Sequence, residues 1–211
     1  MQVRRKLAVV ALSVALLSGG AVLAAQEGQQ GQQGQPDHSS MGMSKEQMDA
    51  MMKAMSPGEM HKELAKLAGD WTFTNKMWMA PGQPPQESTG TMHAETILGG
   101  RYVQSVWKGS MMGEPFEGHA IEGYDNVAKQ LVSSWVDNMG TGIMLSTGTC
   151  EDGGKKCTTT GTFSDPMTGG PATMKSVITW IDANSFKNEM YGKDPASGQE
   201  YKMMEIVAKR K

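Results

Sequence analysis

The chain has 211 residues, a formal net charge of −2, and 20 methionines against only 4 phenylalanines. That length supplies one domain and a leader, with enough chain to bury a real core. A mildly acidic chain without a basic stripe argues against nucleic acid and anionic membrane as partners.

The leader comes first. Arg4, Arg5 and Lys6 precede an apolar run from Leu7 to Leu17. Ser18-Gly19-Gly20 breaks the run, and Ala21-Val22-Leu23-Ala24-Ala25 offers small residues for cleavage after Ala24. Residues 1–24 are expected to be a secretory signal peptide. The apolar run falls short of the ~20 residues that a spanning helix needs, and no later stretch reads as a membrane span. Cleavage takes the formal charge from −2 to −5 by removing Arg4, Arg5 and Lys6. It sends the product outside the cytoplasm, to the periplasm or the medium.

Residues 25–43 follow, rich in Gln and Gly. They carry no apolar periodicity, so burial cannot offset the entropy of ordering them, and a disordered linker is expected. Residues 44–68 read as a methionine-rich helical leader. Ser44 with Gln47 matches a capping box, and Met48, Met51, Met52 and Met55 recur at helical spacing. Ser56-Pro57-Gly58-Glu59 signals a second helix, with Ser56 as N-cap and Pro57 at the first helical position. It carries Met60, Leu64, Leu67 and Ala68 on one stripe and stops at Gly69.

From Trp71 the apolar period changes from helical to alternating. Strands are expected at 71–79, 89–98, 101–111, 116–124, 130–137, 141–150, 157–163, 173–181, 186–192 and 201–209. The turns between them include Gly99-Gly100, Gly113-Glu114-Pro115, Asp125-Asn126 and Gly153-Gly154. Such short links make each strand the neighbour of the one before it. About ten strands in sequence leave long bare edges unless the sheet closes on itself. The expected fold is all-β: a roughly ten-stranded antiparallel up-and-down barrel over residues 69–211, preceded by one or two short helices.

The faces of these strands are mixed. Val103, Ser105 and Trp107 alternate with Tyr102, Gln104, Val106 and Lys108. Leu131, Ser133, Trp135 and Asp137 alternate with Val132, Ser134, Val136 and Asn138. A filled sandwich would show a cleaner apolar face, whereas mixed faces suit a barrel with a partly wet interior that holds one small ligand. The two cysteines, Cys150 and Cys157, flank a Gly-Gly hairpin signal. With Gly153-Gly154 as a two-residue turn, Asp152 faces Lys155, Glu151 faces Lys156, and Cys150 faces Cys157. In an exported protein that pair reads as a structural disulfide. Redox work is disfavoured, since there is neither a CxxC nor a helix to lower a thiol pKa.

Gly69-Asp70-Trp71, at the junction of helix and first strand, resembles the Gly-x-Trp signature of lipocalin-like (calycin) barrels, in which the Trp closes one barrel end. A longer set of motifs is similar to the bacterial domain-of-unknown-function family 1579. These are Leu64-Ala65-Lys66-Leu67-Ala68-Gly69-Asp70-Trp71, Ile97-Leu98-Gly99-Gly100-Arg101-Tyr102, Pro115-Phe116-Glu117-Gly118, Gly123-Tyr124-Asp125-Asn126, Trp135 through Gly142, and Met203-Met204-Glu205-Ile206. The resemblance covers about residues 57–211. It implies a lipocalin-like barrel and brings no established reaction.

Candidate ligand-binding residues follow from this reading. Trp71, Trp107 and Trp135 supply apolar wall; Arg101, Tyr102, Glu117, His119 and Asp137 supply polar contacts in a pocket or at its mouth. Glu117 and His119 share one face of their strand. Pointing inward they would anchor a ligand, and His119 would be an axial ligand if the barrel is similar to nitrobindin-like haem barrels; pointing outward they are an ordinary surface pair. A second reading takes His38, Met41, Met43, Met48, Met51, Met52 and Met55 as a copper segment. They resemble the Met/His stretches of exported copper-handling proteins, and thioether sulfur suits Cu(I). The alternative is that Met simply replaces Leu as a flexible packing residue.

No catalytic constellation appears. No spacing pairs two carboxylates for acid–base work, and there is no G-x-S-x-G, Walker loop or H-E-x-x-H. The leading expectation is an exported binding module for a small, partly apolar molecule, with no cofactor. A copper-binding or stress protein comes second, and an enzyme last. Copper and haem belong to the alternatives alone, and nothing in the sequence sets an oligomeric state.

Overall fold

Residues 42–166 and 168–211 are described by the computed structural model. The expected signal peptide, nearly all of the linker, and the candidate ligands His38 and Met41 lie outside the described residues. Residues from Met43 onward form one unit.

Two helices lead in. In α1 (Lys45–Met55) the capping box forms as the sequence indicates: Gln47 N donates to Ser44 Oγ at 3.2 Å, and Ser44 N donates to Gln47 Oε1 at 2.8 Å. Met48 and Met51 are half-buried, while Met52 and Met55 point to solvent. The four methionines therefore do not share one buried face.

Helix α2 (Glu59–Ala65) starts later and stops earlier than its sequence signals suggest. Pro57 holds Ser56 extended (φ −97°, ψ 143°), and the Ser56 hydroxyl donates back to Met52 O at 2.7 Å. Ser56 thus ends α1 instead of starting α2. Gly58 is the N-cap, and its N–H donates to His61 Nδ1 at 3.0 Å. Past Ala65 the chain tightens through i→i+3 bonds, Leu67 N to Leu64 O at 3.0 Å and Ala68 N to Ala65 O at 3.1 Å. Gly69 (φ 126°) then begins the first strand.

The ten expected strands all form: β1 (Gly69–Met77), β2 (Gln86–Ile97), β3 (Tyr102–Met111), β4 (Glu114–Asp125), β5 (Gln130–Asp137), β6 (Met144–Glu151), β7 (Lys156–Ser164), β8 (Pro171–Asp182), β9 (Ser185–Lys193) and β10 (Glu200–Arg210). Each pairs antiparallel with its chain neighbours, and β10 pairs with β1, so the sheet is a closed barrel. β1 shows why it is a strand: Trp71, Phe73 and Asn75 are buried, while Thr72 and Thr74 between them face out.

Several turns differ from expectation in one recurrent way. The residue before a glycine also takes the left-handed conformation. Leu98 (φ 51°), Gly99 and Gly100 all do so, and the β2–β3 link runs over residues 98–101. Met112 (φ 53°) and Gly113 make the two-residue β3–β4 turn in place of Gly113-Glu114-Pro115. Asp152 (φ 51°), Gly153 and Gly154 do the same between β6 and β7, so Asp152 does not face Lys155.

The rest of that hairpin registers as expected. Glu151 faces Lys156, and Cys150 faces Cys157 across a disulfide with Cα atoms 4.0 Å apart. Closing so short a loop stabilises by about 2 kcal/mol in the chain-entropy model. Replacing both cysteines by serine is expected to lower unfolding stability by that amount, read as a shift of the urea midpoint. An unchanged midpoint would remove the bridge from the stability account.

The strand ends at the Gly69, Ile97, Asp125, Glu151 and Asp182 side form one barrel end. Helix α2 packs there against β3, β4 and the β6–β7 turn. The floor beneath is dense: Trp71, Phe73, Met92, Ala94, Val103, Phe186, Ile206 and Ala208 form one buried cluster, with Leu64 and Leu67 packed on it. Among the described residues no helix is long and apolar enough to cross a membrane.

Candidate functional site

Period-two alternation fixes which side chains a closed barrel turns inward, and register carries that assignment from strand to strand. Val103, Ser105 and Trp107 of β3 lie opposite Glu122, Ala120 and Gly118 of β4. Those lie in turn opposite Ser133, Trp135 and Asp137 of β5, and Ser133 is paired with Ser146 of β6. Buried Val103, Ser105, Ala120 and Ser146 mark this as the inner face.

The sequence candidates separate along that division. Trp71 is fully buried in the floor. Its Nε1 donates to Leu67 O at 2.9 Å, and the Arg210 guanidinium stacks 4.2 Å from its ring. Trp107 and Trp135 both point inward, with ring centroids 6.3 Å apart. Trp107 Nε1 donates to Ser105 Oγ at 3.0 Å, and Trp135 Nε1 donates to Asp137 Oδ2 at 2.7 Å. Asp137 also accepts from Met139 N at 2.9 Å, so it serves as a turn residue at the mouth and as an anchor for the indole.

Glu117 and His119 do not point into the barrel. They pair with Lys108 and Val106 on the outer face, where His119 Nε2 lies 2.9 Å from Glu117 Oε1 and Lys108 Nζ lies 3.2 Å from Glu117 Oε2. The hydrogen bond from His119, then that from Lys108, holds the Glu117 carboxyl below its usual range. The side chains are about half exposed, 45% for Glu117 and 43% for His119, as an outer-surface pair should be. Tyr102 also faces outward and lays its ring over Gly123, where a Cβ would lie 2.6 Å from the Tyr102 Cδ1. Arg101 sits on the closed-end rim and donates to Leu98 O and to Met55 O, both at 3.2 Å. Of the copper candidates within the described residues, Met43, Met48 and Met51 are half-buried while Met52 and Met55 are exposed. No group of three or more His, Cys, Asp or Glu side chains that could hold a metal occurs among the described residues.

What lines the interior is partly different. Methionines are frequent on the inner face: Met77, Met92, Met111, Met144, Met174, Met190 and Met204 all fall there by register. A polar series runs beside them, from Ser105, Glu122, Ser133 and Ser146 to Thr159, Ser176 and Asn188. Ser176 Oγ donates to Asn188 Oδ1 at 2.6 Å. Trp107, Glu122, Ser133, Trp135, Thr159, Ser176 and Ile178 point inward yet are only half-buried. Inside a closed wall that combination means that they border space.

Glu122 is the residue that motif reasoning passed over. Its carboxyl lies inside the barrel wall, away from bulk water, and this burial pushes its pKa up to about 7. No hydrogen-bond or ion-pair partner accompanies it among the described residues. The available signal was parity: Glu122 lies an odd number of residues from Glu117 and so takes the opposite face. Choosing the inner face, however, needed the pairing with β3 and β5. Asn75 is a second such case. It is buried, its Nδ2 reaches Ser88 Oγ at 3.4 Å, and its Oδ1 has no partner among the described residues. It lies at the deep side of a cavity of about 440 Å³ at the open end, lined also by Met77, Gln86, Ser88, Met111 and Met112.

Comparison with known proteins gives a family and a solved structure of similar fold. A family model described as "Protein of unknown function (DUF1579)" matches residues 56–210. Among solved structures, Rv2717c from M. tuberculosis is similar at a TM-score of 0.55 and 12% identity, over 74% of this chain and 99% of that one; the likeness is one of fold. A redesigned β-barrel, b11L5F_LGL, aligns at a TM-score of 0.37 and 17% identity, over 71% of this chain and 95% of that one. No curated protein matches the chain.

Proposed function

The chain belongs to the DUF1579 family, and from the barrel that it builds we propose that it is an exported container which holds a small, partly apolar molecule in its lumen. The observation that carries the reading is the half-buried inner face. A barrel that existed only to be stable would fill its centre to close-packed density, as the floor around Trp71 does. Farther in, indoles and methionines alternate with serines, and methionine adapts its shape to what it meets. Apolar wall with a few polar groups is the make-up of small-molecule pockets. Export is supported by the leader read from the sequence and by the Cys150–Cys157 bridge, which suits an oxidising compartment.

The test is native mass spectrometry of the protein purified from its own compartment, with titration of a polarity-sensitive dye into the emptied barrel. A retained organic mass, or dye uptake that saturates at one per chain, is expected. A clean protein mass with no saturable uptake would overturn the proposal. Copper in the native mass would favour the second reading instead, whose candidates within the described residues are Met43, Met48, Met51, Met52 and Met55.

A further inference from the structure

The charged groups that the barrel turns inward are few and mostly of one sign. Among the described residues they are Glu114 and Asp137 at the mouth, Glu122 inside and Arg210 at the closed end. Arg210 is fully engaged: its guanidinium donates to Ala68 O and Lys66 O, both at 2.7 Å, and covers Trp71. The lysines of β1, β3, β7, β8 and β9 lie on the outer face, where Lys76, Lys108, Lys156, Lys175 and Lys187 pair with surface glutamates. Among the described residues the lumen thus holds a carboxyl group and no free cation.

We propose that the occupant of this lumen is a small apolar amine whose ammonium group is received by Glu122. The inference rests on the container reading above and names its ligand class. On the inner wall Glu122 lies between Val103 of β3 and Ser133 of β5, with Ala120 and Tyr124 two residues away on its own strand, Ser105 diagonal to it and Ser146 beyond Ser133. The serines among them offer hydroxyl oxygens to the remaining N–H donors of an ammonium. Trp135 is paired with Ala120, one inward position toward the mouth from Glu122, and Trp107 lies 6.3 Å from it. Indole faces there suit an apolar body and, by their quadrupole, a cation. An acid would bring a second negative charge into an enclosed space that has no cation to receive it, which is costly.

The other titratable groups do not replace this partner. Tyr124 and His61 meet edge to face at the closed end, with ring centroids 6.1 Å apart, and the His61 Nδ1 is occupied by Gly58 N–H. The inward neighbours of Glu122 on β3 and β5, Val103 and Ser133, carry no charge. The Cys150–Cys157 bridge does not titrate.

The experiment compares three probes of one body type, 2-phenylethylamine, 2-phenylethanol and 3-phenylpropionate, by calorimetry on the full chain near pH 8. The amine is expected to bind about tenfold or more tighter than the alcohol, as a charge-assisted bond exceeds a neutral one, and the carboxylate not at all. Near pH 7 Glu122 is about half protonated when free, so amine binding releases about half a proton, visible as a buffer dependence of the heat. Glu122→Gln removes both the amine's advantage and the proton release while the alcohol still binds. Equal binding of amine and carboxylate, or an amine preference that survives Glu122→Gln, overturns the amine proposal and leaves the container standing. If none of the three binds and the dye does not enter either, both proposals fall. The buffer dependence is measured on the unaltered chain, so it decides the matter even where the variant is poorly folded.

Discussion

Replacing Trp71 by alanine is expected to cost about 4 kcal/mol of unfolding stability, in the range for large aromatic-to-alanine changes in a packed core. The side chain has no exposed surface. It packs against Phe186 at 5.2 Å and Trp180 at 6.0 Å between ring centroids, and lies under the Arg210 guanidinium. Its Nε1–H satisfies Leu67 O, a carbonyl in the tightened segment after α2. The alanine variant therefore opens a cavity, frees a part-buried carbonyl and removes the surface on which Arg210 rests. Since whole domains are stable by only ~5–15 kcal/mol, much of the total is at stake. Trp71→Phe should cost less, about 2 kcal/mol, because it keeps a ring and loses mainly the hydrogen bond. Chemical denaturation of the two variants measures both. A cost below about 1 kcal/mol for the alanine variant would mean that the floor is not what holds the barrel together.

The second large effect has the opposite sign. Glu122→Gln is expected to stabilise the ligand-free protein above neutral pH, by up to about 3 kcal/mol, and to do nearly nothing in acid. In the folded chain the Glu122 carboxyl titrates near pH 7, against an ordinary value of 4.5. Below the ordinary value it is neutral in both states, and folding is indifferent to it. Between 4.5 and 7 the unfolded chain releases the proton and the folded chain keeps it, so stability falls as pH rises. Above 7 the folded barrel must hold the charge, and the full cost is present. Thermal melts of both proteins across that range should converge at the acid end and separate through the window. Parallel curves would show that Glu122 is solvated as well in the barrel as outside it.

Much of the fold was legible in the sequence, because strand alternation, short links and the Gly69-Asp70-Trp71 junction all reported the same local geometry. The site was less so, for a physical reason. In β4 the apolar residue of the pair Ile121-Glu122 is the exposed one, 44% accessible, and the carboxylic acid is inside. Hydrophobicity therefore points to the wrong face, and Glu117 and His119 look like the inner pair. Only register corrects it, through Trp107 opposite Gly118 and Trp135 opposite Ala120. An inner face that mixes serines and a carboxylic acid with apolar side chains weakens the contrast between faces on which sequence patterning depends. Glycine positions do not by themselves bound the turns: Leu98, Met112 and Asp152 show that the preceding residue can share the left-handed bend. Ser56 can serve either helix, and because its hydroxyl bonds the carbonyl of Met52, the second helix starts later than its capping signal indicates.

The pairing of β1 with β10 bears on how the barrel is made. Every other ladder joins strands adjacent in the chain, whereas this seam joins Trp71 to Arg210 and Met77 to Met204. Local hairpins can zip in succession, but the seam must wait for the last of them. Until then the intermediate is a curled open sheet with two bare edges, which can pair with other chains. Loop entropy grows only with the logarithm of length, so the delay is modest in free energy and larger in time. The Lys211 N–H to Asp70 O bond (2.9 Å) and the Arg210 clamp on Ala68 and Lys66 lie at the far end of that seam. They act as a latch, and weakening them is expected to speed unfolding more than it slows folding.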